Sequence, residues 1–257
     1  MGCPINLPIK QSNPYYIKRE QVALFLPKPL NNLFCIVTKM VTKKNKIKVS
    51  RKIIDKLRLN PEKIMSKEEI IGTMKEYSRI YKTKANITSL WVYLRKDRYI
   101  ARILSDYYYI YSLEERYNHY CKFSEEELMF IVLEKMKIKW YLGLESALKE
   151  NKITWQALNT ITIINSHFSG IKKLGNSKFK FIKTKGRFEL GLVKKKTNNS
   201  VTYFYSDPEK TYLDFLYLYS YEGKDIEGLQ KSLDFKVEKS RIKKYAKKYN
   251  AKIQEAI

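Results

Sequence analysis

The chain has 257 residues, with 51 lysines and arginines against 26 aspartates and glutamates, a formal net charge of +25 and a pI near 9.7. Such a charge draws polyanions, whether nucleic acid, an anionic membrane surface or an acidic protein, and a hydrophobic content of 44% argues against wholesale disorder. Three scattered cysteines (Cys3, Cys35, Cys121), two histidines and no CxxC argue against a zinc site or a disulfide framework, and no apolar run is long enough to span a bilayer.

Cysteine usage of this kind fits a reducing, cytoplasmic setting. The opening residues lack the basic and apolar regions of a signal peptide, and Asn6 breaks the myristoylation pattern that Met1-Gly2 begins. AT-rich coding also enriches lysine, isoleucine and tyrosine. It accounts for an amount of charge but not for its placement.

Residues 1–39 carry five of the seven prolines and no sustained period, and are expected to be a poorly ordered leader. Met40 is an alternative start. Between Lys43 and Arg58 eight basic residues stand against Asp55 alone. Ile53, Ile54 and Leu57 are helically spaced there, Ser50 is a candidate cap, and Asn60-Pro61 ends the segment. Ser66-x-x-Glu69 is a capping box opening a second helix, with Ile70, Ile71, Met74 and Tyr77 inside.

A third helix follows, with Ile87, Leu90, Trp91 and Leu94 on one apolar stripe. Its other side carries Thr88, Ser89, Val92, Tyr93 and Lys96. Two tyrosine-rich strands then turn at Ser105-Asp106. Three helices and a hairpin are the plan of a winged helix-turn-helix. Lys82, Lys84, Arg95, Lys96, Arg98 and Arg102 ring the third helix and hairpin as phosphate-contacting residues. Thr88, Ser89 and Lys96 are candidates for base edges, Val92 for a thymine methyl, and Tyr93 for the same surface.

Ser112 begins a connecting helix, and Ser124-x-x-Glu127 is another capping box. The run from Leu128 through Ile153 reads as buried helices. From Thr160 the pattern becomes strand-like, with four runs: ITIINS, KFKFIKT, RFELGLVKK and VTYFYS. Asp207-Pro208-Glu209 starts a helix that is apolar nearly all round from Tyr212 to Tyr219. A last helix over 237–250 places Ile242, Tyr245, Ala246 and Tyr249 inside. Lys239, Arg241, Lys243, Lys244, Lys247 and Lys248 lie outside.

The expected fold class is α+β. An N-terminal winged helix-turn-helix (40–112) precedes a mixed α/β C-terminal domain (113–257) with a small, mostly antiparallel sheet and C-terminal helices. Walker A, GxGxxG, HExxH and GxSxG motifs are all missing. Gly175-Asn176-Ser177 faintly matches the Gly-Ser start of nucleotidyltransferases, but no D-x-D follows to hold a metal. His119 and His167 lack a neighbouring nucleophile. No enzymatic activity, cofactor or metal is expected.

The order of parts resembles the AbiEi-type antitoxins of type IV (abortive infection) toxin–antitoxin systems. The resemblance runs over about 47–257. It rests on the YLRKDRYIARI exit from the third helix, the Tyr141–Leu148 segment read as a helix, and above all Ser206-Asp207-Pro208-Glu209-Lys210-Thr211-Tyr212-Leu213-Asp214. The last is similar to that family's SDPE-(R/K)-T-x-x-D element, in which Asp207, Pro208, Glu209, Lys210, Thr211 and Asp214 match. The resemblance implies a transcriptional regulator that binds double-stranded operator DNA and represses its own operon. It also implies a C-terminal domain that antagonises a separate nucleotidyltransferase-like toxin. The alternative is a basic module that binds RNA or an acidic protein through its strands and last helix.

Overall fold

The computed structural model describes residues 51–82, 86–154, 159–233 and 235–257. Expectations for the leader 1–39, the start at Met40, the cap Ser50 and the contact residue Lys84 lie outside these residues. Val49–Ile257 forms one compact unit. Its architecture is mixed α/β, with one three-stranded antiparallel sheet and one six-stranded mixed sheet.

Residues 51–59 form helix α1, which stops ahead of Asn60-Pro61 as the proline dictates. Strand β1 (Ile64–Ser66) leads into α2 (Lys67–Ile80), whose N-terminus is closed by the reciprocal Ser66–Glu69 capping box. Helix α3 (Ile87–Lys96), strand β2 (Ile100–Leu104) and strand β3 (Tyr107–Ile110) follow. The sheet order is β1-β3-β2. The three helices close over one face of this sheet, burying Ile53, Ile54, Leu57, Ile70, Met74, Leu90 and Leu94 against Met65, Tyr108 and Ile110.

The sheet's other face carries Ile64, Ile103 and Tyr109, and shares a core with α5 (Glu125–Lys135). Met129, Phe130, Val132 and Leu133 of α5 are buried, because the helix lies between this small sheet and the large one. The chain therefore crosses Ser112 without a break in packing. The short helix α4 (Leu113–Tyr117) sits at that crossing, capped by Ser112.

The six-stranded sheet has the order β6-β7-β5-β4-β9-β8. Its strands are β4 (Trp140–Leu142), β5 (Ile161–Asn165), β6 (Gly170–Leu174), β7 (Ser177–Lys183), β8 (Leu192–Lys196) and β9 (Thr202–Ser206). Three pairings are antiparallel, and β4–β9 and β5–β7 are parallel. Trp140, Leu142, Ile163, Phe179 and Phe181 face α5. Tyr141 and Ile164 face α6 (Leu144–Glu150) and α7 (Pro208–Tyr221), with α8 (Ile226–Ser232), α9 (Lys239–Ala246) and α10 (Ala251–Glu255) outside them.

Two expectations are corrected here. Trp140-Tyr141-Leu142 is a strand, not the first turn of a helix: it is buried on both faces and so shows no alternation. Helix α6 begins only at Leu144. Residues 187–191 of the third strand-like run form a turn, and β8 begins at Leu192.

Three glutamates are held as carboxylates by hydrogen bonds. Glu115 accepts from the Tyr109 hydroxyl and from the N–H groups of Ser112 (2.7 Å) and Lys122 (3.0 Å). Glu127 accepts from the Ser124 N–H (2.8 Å) and the Asn199 amide (2.8 Å). Glu125 accepts from Asn176 and Ser177. Burial pushes each carboxyl up, and the hydrogen bonds outweigh it, so all three sit below the ordinary value of 4.5. A carboxyl whose folded pKa is lowered stabilises the fold in full above its unfolded value, and this stabilisation is lost as pH falls through the folded value. Stability to urea is accordingly expected to be flat near neutral pH and to fall steeply from about pH 4.5 downward. Glu115→Gln is expected to be less stable at pH 7 and to show a shallower acid limb.

Candidate nucleic-acid interface

Helix α3 starts where the Asn86 side chain accepts the Ser89 N–H at 3.0 Å, satisfying one of the free donors of its first turn. Arg95 and Lys96 occupy its last turn, where the helix dipole favours cations. Leu90 and Leu94 anchor the helix, and Trp91 meets Tyr108 of β3 edge-to-face at 5.0 Å. The opposite side is open. Thr88, Ser89, Arg95 and Lys96 are exposed, as are Val92 (57%) and Tyr93 (42%). Among the described residues no ion pair engages Arg95 or Lys96.

The surroundings extend this surface. Lys82 is exposed and takes a positive φ of 48° just after α2. Arg98, exposed with φ 53°, turns the chain from α3 into β2. Arg102 lies opposite Tyr108 in the hairpin, so both side chains leave the same face of the sheet, the one that Trp91 packs on. Its Nε donates to the Ser105 carbonyl (2.5 Å), which directs the guanidinium toward the hairpin turn. That turn is tied down by the Lys67 N–H donating to the Asp106 carbonyl at 2.7 Å. Arg102 is exposed throughout.

Two contributors escape sequence reading. The Lys67 ammonium lies 5.9 Å from the Trp91 ring, beside the α3 face. Arg116 stacks on Tyr99 at 3.6 Å and donates to the Asp97 carbonyl at 2.7 Å, fastening α4 to the end of α3. Asp97 and Arg116 are 19 residues apart, and nothing local links them. The Tyr93 and Tyr99 rings pack with centres 5.6 Å apart, which sets the Tyr99 hydroxyl beside the Tyr93 phenol. With burial this holds the Tyr93 phenol above its usual range, so it stays neutral.

The Asp207–Asp214 segment forms a second constellation, and it is internal. Asp207 caps α7 by accepting the Lys210 N–H (2.8 Å), and Pro208 occupies the first turn. Glu209 accepts the Glu238 N–H (3.1 Å) and pairs with Arg241 at 3.3 Å, while Arg241 also reaches Asp207 at 2.8 Å. Thr211 bonds the Ser206 hydroxyl at 2.7 Å. Lys210 is 1% exposed, and its ammonium lies 3.3 Å from Asp214 and 4.5 Å from the Tyr141 ring centre. Asp214 accepts from the hydroxyls of Tyr141 (2.8 Å) and Tyr249 (2.7 Å). Burial pushes the Lys210 ammonium down, with Asp214 opposing, and pushes both phenols well up.

Gly191 completes this constellation. Its φ is +55°, and a Cβ there would lie 2.8 Å from Asp207 Oδ1 and 2.9 Å from both Lys210 Cβ and Tyr245 Cε2. Its carbonyl accepts the Asp207 N–H at 2.8 Å. Gly191→Ala is expected to cost about 2 kcal/mol through left-handed strain and overpacking, read as a lower urea midpoint with an unchanged slope.

Gly175-Asn176 is the two-residue turn of the β6–β7 hairpin, with Leu174 opposite Ser177. The Ser177 hydroxyl and N–H both donate to Glu125 (2.5 and 3.0 Å). This accounts for the Gly-Asn-Ser sequence by turn geometry. His119 is exposed, and His167 is exposed with its ring 2.7 Å from the Ser166 hydroxyl. No cluster of metal-ligating side chains occurs among the described residues. Among the described residues, no helix is long and apolar enough to cross a membrane.

The chain matches no protein-family model, and no curated protein matches it.

Proposed function

We propose that the chain is a DNA-binding transcriptional regulator of the AbiEi antitoxin type, using residues 51–112 as a winged helix-turn-helix. The observation that carries this reading is the exposed side of α3. Thr88, Ser89, Val92, Tyr93, Arg95 and Lys96 face solvent together, flanked by Arg98, Arg102 and Lys67. A helix buried by one stripe and lined on the other with hydroxyls, an aliphatic group and cations suits a major groove, where donors, acceptors and thymine methyls are read. The surrounding lysines and arginines then neutralise phosphates and release counterions, which supplies most of the affinity.

In this reading the protein represses by occupying an operator, and it has no catalytic step. Antagonism of a nucleotidyltransferase-like toxin belongs to the C-terminal half. The matched residues Asp207, Lys210, Thr211 and Asp214 are buried, so their part is to hold α7 on the sheet. Any toxin would meet the exposed residues around them.

The rival reading, a basic module for RNA or an acidic protein, is favoured by one observation. Lys239, Arg241, Lys243, Lys244, Lys247 and Lys248 are all exposed along and just beyond α9. Truncation at Ser112 cannot separate the two readings, because it would uncover the core shared by Ile64, Ile103, Tyr109 and α5. Point variants can. Lys96→Ala and Arg102→Ala are each expected to weaken DNA binding and to lower the salt slope by about one. Lys243→Ala/Lys244→Ala is expected to leave both unchanged. The opposite pattern, measured by fluorescence anisotropy on one duplex, would assign the binding to α9.

A further inference from the structure

A cavity of about 440 Å³ opens on the large sheet between α5, α6 and the β6–β7 hairpin. Leu142, Ile161 and Glu126 line it on the α5 side of the sheet, and Ser146, Lys149, Lys173 and Lys178 on the α6 side. It lies in the C-terminal half and contains none of the α3 residues. Its size is within the range of small-molecule sites.

The charges here are not spent on the fold. Lys173 and Lys178 stand directly opposite each other in the β6–β7 register. Like charges so placed destabilise a hairpin, and among the described residues no ion pair relieves either one, nor Lys149. Glu150, the cavity's other carboxylate, is already held by Lys195 (2.7 Å) and Tyr203 (2.9 Å). Glu126 is half-buried and accepts no hydrogen bond from the described residues. Burial pushes its carboxyl up, with Lys149 opposing. Ser146 is buried, and its Oγ accepts the Thr162 N–H at 2.7 Å, which leaves its own hydrogen uncommitted. The N–H groups of Asn176 and Ser177 are taken by Glu125, so an anion would be held here by side chains.

We propose that this cavity binds a small phosphate ester, a sugar phosphate or a nucleotide. Lys149, Lys173 and Lys178 would hold its phosphate, and Leu142, Ile161 and Glu126 its organic body. Three ammonium groups around one opening match a dianion better than a single carboxylate. Leu142 and Ile161 on the α5 side give the body apolar surface to lie against, and Glu126 gives its hydroxyl or amino groups an acceptor. This site is independent of the DNA-binding reading.

The test is calorimetric titration of the full chain with ribose 5-phosphate, with adenosine 5′-monophosphate and with inorganic phosphate. One of the two esters is expected to bind saturably and more tightly than phosphate alone, and the stronger ester identifies the body. Lys173→Ala/Lys178→Ala is expected to weaken it by about tenfold or more, since each removes a charge-assisted contact, and Lys243→Ala/Lys244→Ala is expected to leave it unchanged. Both substituted sites on the hairpin are surface lysines of like charge, so the fold is retained. Glu126→Gln is expected to shift ester binding while leaving inorganic phosphate unaltered. Three results would overturn the proposal: no saturable ester binding, esters no tighter than inorganic phosphate, or equal loss in the α9 variant.

Discussion

Asp214→Ala is expected to destabilise the protein by about 3–5 kcal/mol, the cost of stranding a buried charge. Asp214 is 3% exposed and is the common acceptor for Lys210, Tyr141 and Tyr249. Removing it leaves an ammonium that is 1% exposed without an ion-pair partner among the described residues, and two core phenols without their acceptor. Those groups sit on α7, on the central strand β4 and just beyond α9, so the loss spreads through the C-terminal half. Domains are stable by only about 5–15 kcal/mol, so the variant should have a much lower urea midpoint or purify unfolded. Lys210→Met/Asp214→Asn removes both charges and keeps an amide oxygen to accept a tyrosine hydroxyl, so it should lose less. An Asp214→Ala variant within about 1 kcal/mol of the parent would show that the network is not the clamp described here.

The second large effect concerns α3. Arg95→Glu/Lys96→Glu replaces two exposed cations at the end of the helix with anions. Both are far from the core, so the urea midpoint should move little. Affinity for DNA should fall by about a hundredfold or more near physiological salt, because two phosphate contacts become repulsions. The same measurement across salt gives the number of phosphates neutralised. With about six, affinity of the parent should drop by roughly a thousandfold between about 50 and 200 mM salt.

Local signals are legible in this sequence, and long-range ones are not. The capping boxes at Ser66 and Ser124 stand where their Ser-x-x-Glu spacing places them, because a cap is decided by four adjacent residues, and the helix start at Ser112 proves to be a third such box. The α3 stripe through Leu90 and Leu94 is equally local. Strand β4 was hidden because Trp140–Leu142 is only three residues long and buried on both sides. Strand β6 was hidden because an edge strand reading Gly-Ile-Lys-Lys-Leu has no apolar face to announce it. The last helix expected over 237–250 ends at Ala246, and a further helix, α10, which no expectation covers, follows where Asn250 caps it by accepting the Ile253 N–H (3.3 Å).

The candidate sites divide along the same line. An exposed helix face follows from periodicity alone, so the surface of α3 could be drawn from the sequence. The capping role of Asp207 follows from Asp-Pro-Glu. Its links to Arg241 and Tyr245, and those of Asp214 to Tyr141 and Tyr249, span between 34 and 73 residues. A lysine at position 210 gives no hint that it is buried. The cavity beside β6 depends on the hairpin register, which sets Lys173 opposite Lys178 and which composition does not contain.

The most direct test of the central claim is anisotropy titration of the full chain at physiological salt. One duplex carries the sequence upstream of the protein's own gene, and the other carries the same bases shuffled. An operator-binding regulator should prefer the upstream duplex by about a thousandfold or more, and Arg95→Glu/Lys96→Glu should abolish binding to it. Equal affinity for the two duplexes, or full binding by the variant, would contradict the account.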